Sequence, residues 1–162
     1  MLKMSRVIIL FLILILPFSL FGLDVDFDIN KVSSDANKTK KHIMLFLHKD
    51  NCGYCERMSF NLEDKNITKA IKKDFLLLDI NRDDDERVSY QDFNGSNSEF
   101  IKALGIDFYP SIVFINGDND KIIYGVSGYR NSKKLMIILD YISTKSYETM
   151  NFEEFKDELF FN

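Results

Sequence analysis

The chain holds two cysteines, Cys52 and Cys55, both in the stretch HKDNCGYCERM. Gly53 and Tyr54 stand between them, a spacing that lets the two sulfurs meet within one helical turn. Such a pair admits three chemistries: reversible thiol–disulfide exchange, half of a zinc site, or a static crosslink. Exchange needs a thiolate, because thiolate is the attacking species. A cysteine that opens a helix meets the unpaired amide N–H groups of the first turn and the positive end of the helix dipole. Both favour thiolate over thiol. The expected events are attack by Cys52 on a partner disulfide, then attack by the deeper Cys55 on Cys52, which frees the partner. Gly53 is expected to let the chain turn tightly into the helix. Tyr54 is expected to offer a ring at the rim, able to pack on a peptide.

The competing chemistries have weaker support. Zinc needs further ligands, and the two histidines, His42 and His48, fall at the ends of one short expected strand. That is a poor arrangement for converging on two thiolates, so no metal is expected. The histidines read as strand-end residues with ordinary hydrogen bonds, and Glu56 and Arg57 as a solvated helix face. A static crosslink over so short a loop would constrain the unfolded chain very little.

These residues need a frame that presents them. HIMLFLH, His42 to His48, is a nearly continuous apolar run and reads as a buried central strand. Cys52 to about Leu62 reads as a helix, and Asn66 is positioned to cap a second helix through Lys73. FLLLDI, Phe75 to Ile80, reads as another buried strand. Ile29 to Lys38 is expected to be helical. Asn81 to Asn97 is a long polar connection with room for a short hairpin. Ser96 and Glu99 have capping-box spacing ahead of Phe100, Ile101 and Leu104, and Gly105 closes that helix. Ser111 to Ile115 and Lys121 to Val126 flank the turn signal GDND. Asn131 caps a last periodic helix with Leu135, Ile138, Leu139 and Ile142 on one face. In the tail, Phe152, Phe155 and Leu159 have helical spacing, and that stripe is expected to lie as a lid on the core. Strands alternating with helices predict an α/β fold, with a mainly parallel sheet and an antiparallel edge at GDND.

The chain has 162 residues and a net charge of −4, with no lysine-rich stretch interleaved with aromatics. Nucleic acid is therefore excluded as a partner, since neutralising phosphates needs a basic face. At the start, Lys3 and Arg6 precede an apolar run from Val7 to Leu16, followed by Pro17, Ser19 and Gly22. That order describes an export signal over residues 1–22, with an uncleaved membrane anchor as the rival reading. Its loss would take away two basic residues and no acid, moving the net charge to −6. The expected organisation is residues 1–22 as signal, 23–145 as one domain, and 146–162 as a helical extension packed on it. Export places the cysteines in an oxidising compartment, periplasmic or secreted, where a close pair is either closed or exchanging.

DFYPSIVF, Asp107 to Phe114, contains Pro110, the one proline after Pro17. A proline at the first position of a strand is ordinary. A cis Tyr109–Pro110 bond would turn the Tyr109 backbone toward the thiols and let it pair with an extended peptide. From about Ile43 to Ser143 the chain resembles the thioredoxin superfamily: a strand, CGYC at a helix start, a strand, a helix, YP before a hairpin, and a final helix. More closely it is similar to periplasmic SoxW-like, thioredoxin-related proteins, through its cysteine motif, the segment VSYQDFNGSNSEFIKALGI and the Gly128–Tyr129 pair. The resemblance implies a thioredoxin-like fold with a central mixed sheet flanked by helices. It implies that Pro110 is cis, that Tyr109 and Gly128 border a substrate groove, and that Cys52 is the nucleophile and Cys55 the resolving thiol.

The chain departs from the family pattern at Asn51 and Tyr54, where cytosolic thioredoxins carry Trp and Pro. Phe46 replaces their buried acid and Tyr109 replaces a frequent Thr. Cys55 must then use another base or water, with Asp79 a candidate. CGYC also occurs in dimeric periplasmic isomerases, but Leu23 to Asn51 leaves no room for their dimerisation domain. The expected function is a monomeric thiol–disulfide oxidoreductase that reduces disulfides of exported proteins. The Cys52–Cys55 pair is its redox group, with no other cofactor, and a membrane or periplasmic thiol protein exchanges electrons with it. The alternatives are an oxidant or isomerase, and a redox-inactive binding module.

Overall fold

The computed structural model describes residues 25–161, with no side-chain description at Phe161. The expected export signal lies outside the described residues. In chain order the elements are β1 (Phe27–Asp28), α1 (Ile29–Thr39), β2 (His42–His48), α2 (Gly53–Leu62), α3 (Lys65–Asp74) and β3 (Phe75–Asn81). There follow β4 (Arg87–Tyr90), β5 (Phe93–Ser96), α4 (Asn97–Ala103), β6 (Ser111–Ile115), β7 (Ile122–Ser127), α5 (Ser132–Ser143), a 3₁₀ turn at Ser146–Glu148, and α6 (Phe152–Phe161). Among the described residues no helix is long and apolar enough to cross a membrane.

The main sheet has the order β3-β2-β6-β7, with helices on both faces. Only β2 and β3 run parallel; β6 lies antiparallel to β2, and β7 antiparallel to β6. The expectation of a mainly parallel sheet is thus corrected to a mixed one. An apolar run reports burial but not direction, and β6 enters beside β2 from the opposite end. A second small sheet joins β1, β4 and β5, so the polar connection after β3 does form a hairpin.

Alternation along β2 divides the core in two. Met44 and Phe46 pack with Met58 and Leu62 of α2, Ile67 and Ile71 of α3, and Leu135, Ile138 and Ile142 of α5. Ile43, Leu45 and Leu47 pack on the other face with Ile29 of α1 and with Phe100 and Ile101 of α4. Because both faces are covered, β2 needs apolar residues throughout, which is why it reads as a continuous run. β3 differs. It is the sheet's outer strand, its residues alternate between buried and more exposed, and Leu77 is 39% exposed, so it is not the buried strand expected.

Caps set the helix ends. Ser96 and Glu99 form the capping box of α4, and the Asn131 side chain accepts from Lys134 N–H at the start of α5. Asp64, not Asn66, caps α3, accepting from the Asn66 and Ile67 amides. Either Asx residue suits the role; the chain reverses at Asp64 after α2 and leaves Asn66 inside the helix. In α6, Phe155 is buried against the core, whereas Leu159 is half exposed, so only the first part of the tail stripe acts as a lid.

Candidate functional site

The two cysteines lie where β2 gives way to α2. Asn51 takes a left-handed conformation, φ 52°, and makes the turn into the helix. Asparagine tolerates that region better than most residues. Gly53 is not the turn residue: it already belongs to α2, and a Cβ there would meet nothing within 4 Å. The loop is fixed from β3, since Asn81 Nδ2 donates to Asp50 Oδ1 at 2.9 Å and the Asp50 amide donates to Asp83 Oδ2 at 3.0 Å.

Cys52 is the N-cap of α2, and its Sγ accepts from the Cys55 amide at 3.2 Å. Cys52 and Cys55 are joined as a disulfide, with their Cα atoms 5.2 Å apart. Their exposures differ: Cys52 is half-buried and Cys55 only 4% exposed. The helix dipole's positive end and the Cys55 amide, which also donates to the Cys52 carbonyl at 2.8 Å, therefore act on Cys52, while Cys55 sits one turn deeper.

The remaining sequence candidates connect to this turn through a chain of contacts. The exposed Tyr54 ring lies 6.0 Å from the Tyr129 ring, and the Arg57 guanidinium sits over both, at 5.8 and 5.1 Å. Arg57 is thus a cation–π clamp and not merely a solvated helix residue. Asn61 of α2 donates to Tyr129 Oη at 3.0 Å and to the Arg130 carbonyl at 3.1 Å, tying the segment after β7 to the cysteine helix. Gly128, at φ 85°, occupies a backbone region that favours glycine, and its amide donates to the Pro110 carbonyl at 2.7 Å. The Tyr109–Pro110 bond is cis, and Lys49 Nζ lies 5.9 Å from the Tyr109 ring centroid. Cys52, Tyr54, Gly128, Pro110 and Tyr109 are so linked through Tyr129 and Lys49. The sequence pattern marks Arg57 only as a solvated helix residue and does not single out Asn61 or Lys49. Only the i, i+3 spacing of Tyr54 and Arg57 offered a signal.

Behind the disulfide is a cleft of about 480 Å³, lined by both cysteines, Phe46, His48, Lys49, Asp50, Glu56, Glu63 and Asp79 among others. Phe46 is buried, its ring stacked on that of His48 with centroids 5.2 Å apart. His48 Nε2 lies 2.6 Å from Asp79 Oδ1. The hydrogen bond to Asp79 is the main cause that raises the His48 pKa above its ordinary value, against desolvation, which lowers it. His42, by contrast, is buried with no hydrogen-bond partner at Nδ1, contrary to the ordinary bonding expected of both histidines. Burial and the Lys145 charge press its pKa down.

A family model described as a thioredoxin-like domain matches residues 29–143. No curated protein matches the chain. Among solved structures, a thioredoxin-fold protein from Helicobacter pylori superposes with a TM-score of 0.63 at 21% identity, over 80% of this chain and 92% of that one. A thioredoxin from Thermus thermophilus gives 0.59 at 16% identity, over 74% and 86%. Thioredoxin O2 from Arabidopsis thaliana in its oxidised state gives 0.51 at 15% identity, over 71% and 86%. At these identities the likeness is one of fold.

Proposed function

The chain belongs to the thioredoxin-like domain family, and from that premise we propose that it is an exported thiol–disulfide oxidoreductase that reduces disulfides in partner proteins. The observation that carries the reading is the asymmetry of the pair, with Cys52 at the helix N-cap and half-buried and Cys55 enclosed one turn in. In the reduced protein Cys52 is the thiolate held by the helix start. It attacks one sulfur of a partner disulfide, forming a mixed disulfide and releasing the other partner sulfur as a thiolate. Cys55 then attacks Cys52, closing the Cys52–Cys55 bond and releasing the second partner sulfur. Two electrons pass from the dithiol to the partner, and the pair itself is the redox group.

The groove for the partner runs past Tyr54, Tyr109–Pro110 and Gly128. The exposed rings of Tyr54 and Phe108 offer apolar surface to an extended segment. Export rests on the basic and apolar order from Lys3 to Gly22. The SoxW-like resemblance supports reduction as the direction, with a thiol protein of the membrane or periplasm regenerating the dithiol and the chain acting as a monomer.

Insulin reduction with a small dithiol as electron source tests the reading. The wild type accelerates precipitation, Cys52→Ser does not, and Cys55→Ala accumulates mixed disulfides through Cys52 that mass spectrometry detects. Trapping through Cys55 in Cys52→Ala, but not through Cys52, reverses the roles. No wild-type acceleration removes the enzyme reading in favour of a binding module. Equilibration against glutathione reads direction: a potential near the about −270 mV of thioredoxin is expected, and one near the about −120 mV of a strong oxidant overturns reduction.

A further inference from the structure

Resolution requires Cys55 as thiolate, yet Cys55 is the enclosed member of the pair. A free thiol loses its proton only near pH ~8.5, and burial raises that value. Without a base, a small fraction of Cys55 would be reactive near neutrality. The cleft supplies the candidates. Asp50, Glu56, Glu63 and Asp79 line it, and carboxylates as a class are weak bases toward a thiol. Lys49 also lines it, and a lysine ammonium offers donors only. His48 is the remaining titratable lining residue, and imidazole is the side chain whose basicity matches neutral pH.

Its setting is built. Asp79 Oδ1, 2.6 Å from Nε2, holds the Nε2–H tautomer and leaves Nδ1 as the basic nitrogen. The Phe46 ring, stacked at 23° to the imidazole, fixes its plane. We propose that His48, oriented by Asp79, is the general base that takes the Cys55 proton when the mixed disulfide resolves. This rests on the assignment of Cys55 as the resolving thiol. The Cys55 S–H bond breaks and its proton passes to His48 Nδ1 across the cleft, which has room for a bridging water. The Cys55 thiolate attacks Cys52 Sγ, the Cys52–Cys55 bond forms, and the bond to the partner breaks. The departing partner thiolate takes the proton back from the imidazolium. Asp79 is a positioning residue that also offsets the transient charge.

The groups around His48 are Asp79 on β3, Asp84 after it, Lys49 and Asp50 beyond its own strand, Glu56 on α2 and Glu63 at its C-cap. The hydrogen bond to Asp79 first, then the charges of Asp79, Asp84 and Asp50, favour the imidazolium over desolvation and raise the His48 pKa. The wild-type resolution rate should therefore climb to a plateau with a midpoint above the ordinary histidine value of ~6.5.

A chromogenic aryl disulfide mixed with the reduced protein separates the steps, since the first arylthiolate released reports attack by Cys52 and the second reports attack by Cys55. In His48→Gln the first phase is unchanged. The second phase is slower by roughly 100-fold near neutrality, at the low end of the range lost with a general base. It converges on the wild type at alkaline pH, where Cys55 ionises unaided. In Asp79→Asn the midpoint of the second phase moves to lower pH. A loss of equal size at every pH in His48→Gln, or an unshifted midpoint in Asp79→Asn, overturns the relay. Absence of a second phase in the wild type removes instead the resolving role of Cys55, and the relay with it.

Discussion

His42 opens β2 and His48 closes it, and alternation puts both on the face that packs toward α2 and α5. At the opening end the imidazole is walled in by Phe75 and Tyr147, with ring centroids 6.3 and 6.0 Å away, and its Nδ1 has no partner. At the closing end the same ring pairs with a carboxylate and lines a cleft that the two cysteines also line. The difference is made by the backbone around each. Where β2 begins, the end of α3 and the turn after α5 cover the sheet. Where β2 ends, the chain enters a loop and starts α2, so polar groups and helix amides converge on open space. One end therefore acts on stability and the other on chemistry.

The sharpest way to break that division is at the covered end. Phe114 of β6 is fully buried, 5.6 Å from Phe75 by ring centroid. Phe114→Ala should lower the unfolding free energy by about 3–5 kcal/mol in urea melts. Exchange by the folded fraction should stay at the wild-type rate, and a large fall in that rate would show the two ends to be coupled. A smaller effect is expected from His42→Phe, which removes the orphaned nitrogen and should stabilise by about 1 kcal/mol near neutral pH. Destabilisation there would mean that Nδ1 has a partner in solution.

The smallest effect is the opposed pH dependence of the two rings. The folded pKa of His48 is raised, so its contribution is fully present below the unfolded value of ~6.5 and lost as pH rises through the folded value. The folded pKa of His42 is lowered, so its contribution is present above ~6.5 and lost as pH falls toward the folded value. Imidazole proton shifts followed by NMR across this window should give His48 the higher midpoint and His42 the lower. Coincident midpoints would erase the contrast.

How far the sequence discloses this depends on whether a feature is local. The cysteine turn, the Ser96–Glu99 box and the Asn131 cap depend on neighbours within one helical turn, and they are legible. The antiparallel entry of β6 is not, because a strand buried on both faces shows no direction in its residue pattern. Asp79 could be suggested as a base, but its pairing with His48 comes from the β2–β3 register, which sets it opposite Phe46. Arg57 looks solvated by spacing on α2 alone, and its place over Tyr129 depends on the segment after β7.

The position of β3 has one more consequence. Among the described residues it pairs with β2 alone, which leaves its other edge with unmatched amide and carbonyl groups beside three consecutive leucines, Leu76 to Leu78. An open apolar edge of that kind is a template on which a second chain can add and aggregate. Asp79 is the only charged residue in the strand. The carboxylate that orients His48 is thus also the one charge along this strand that disfavours such addition.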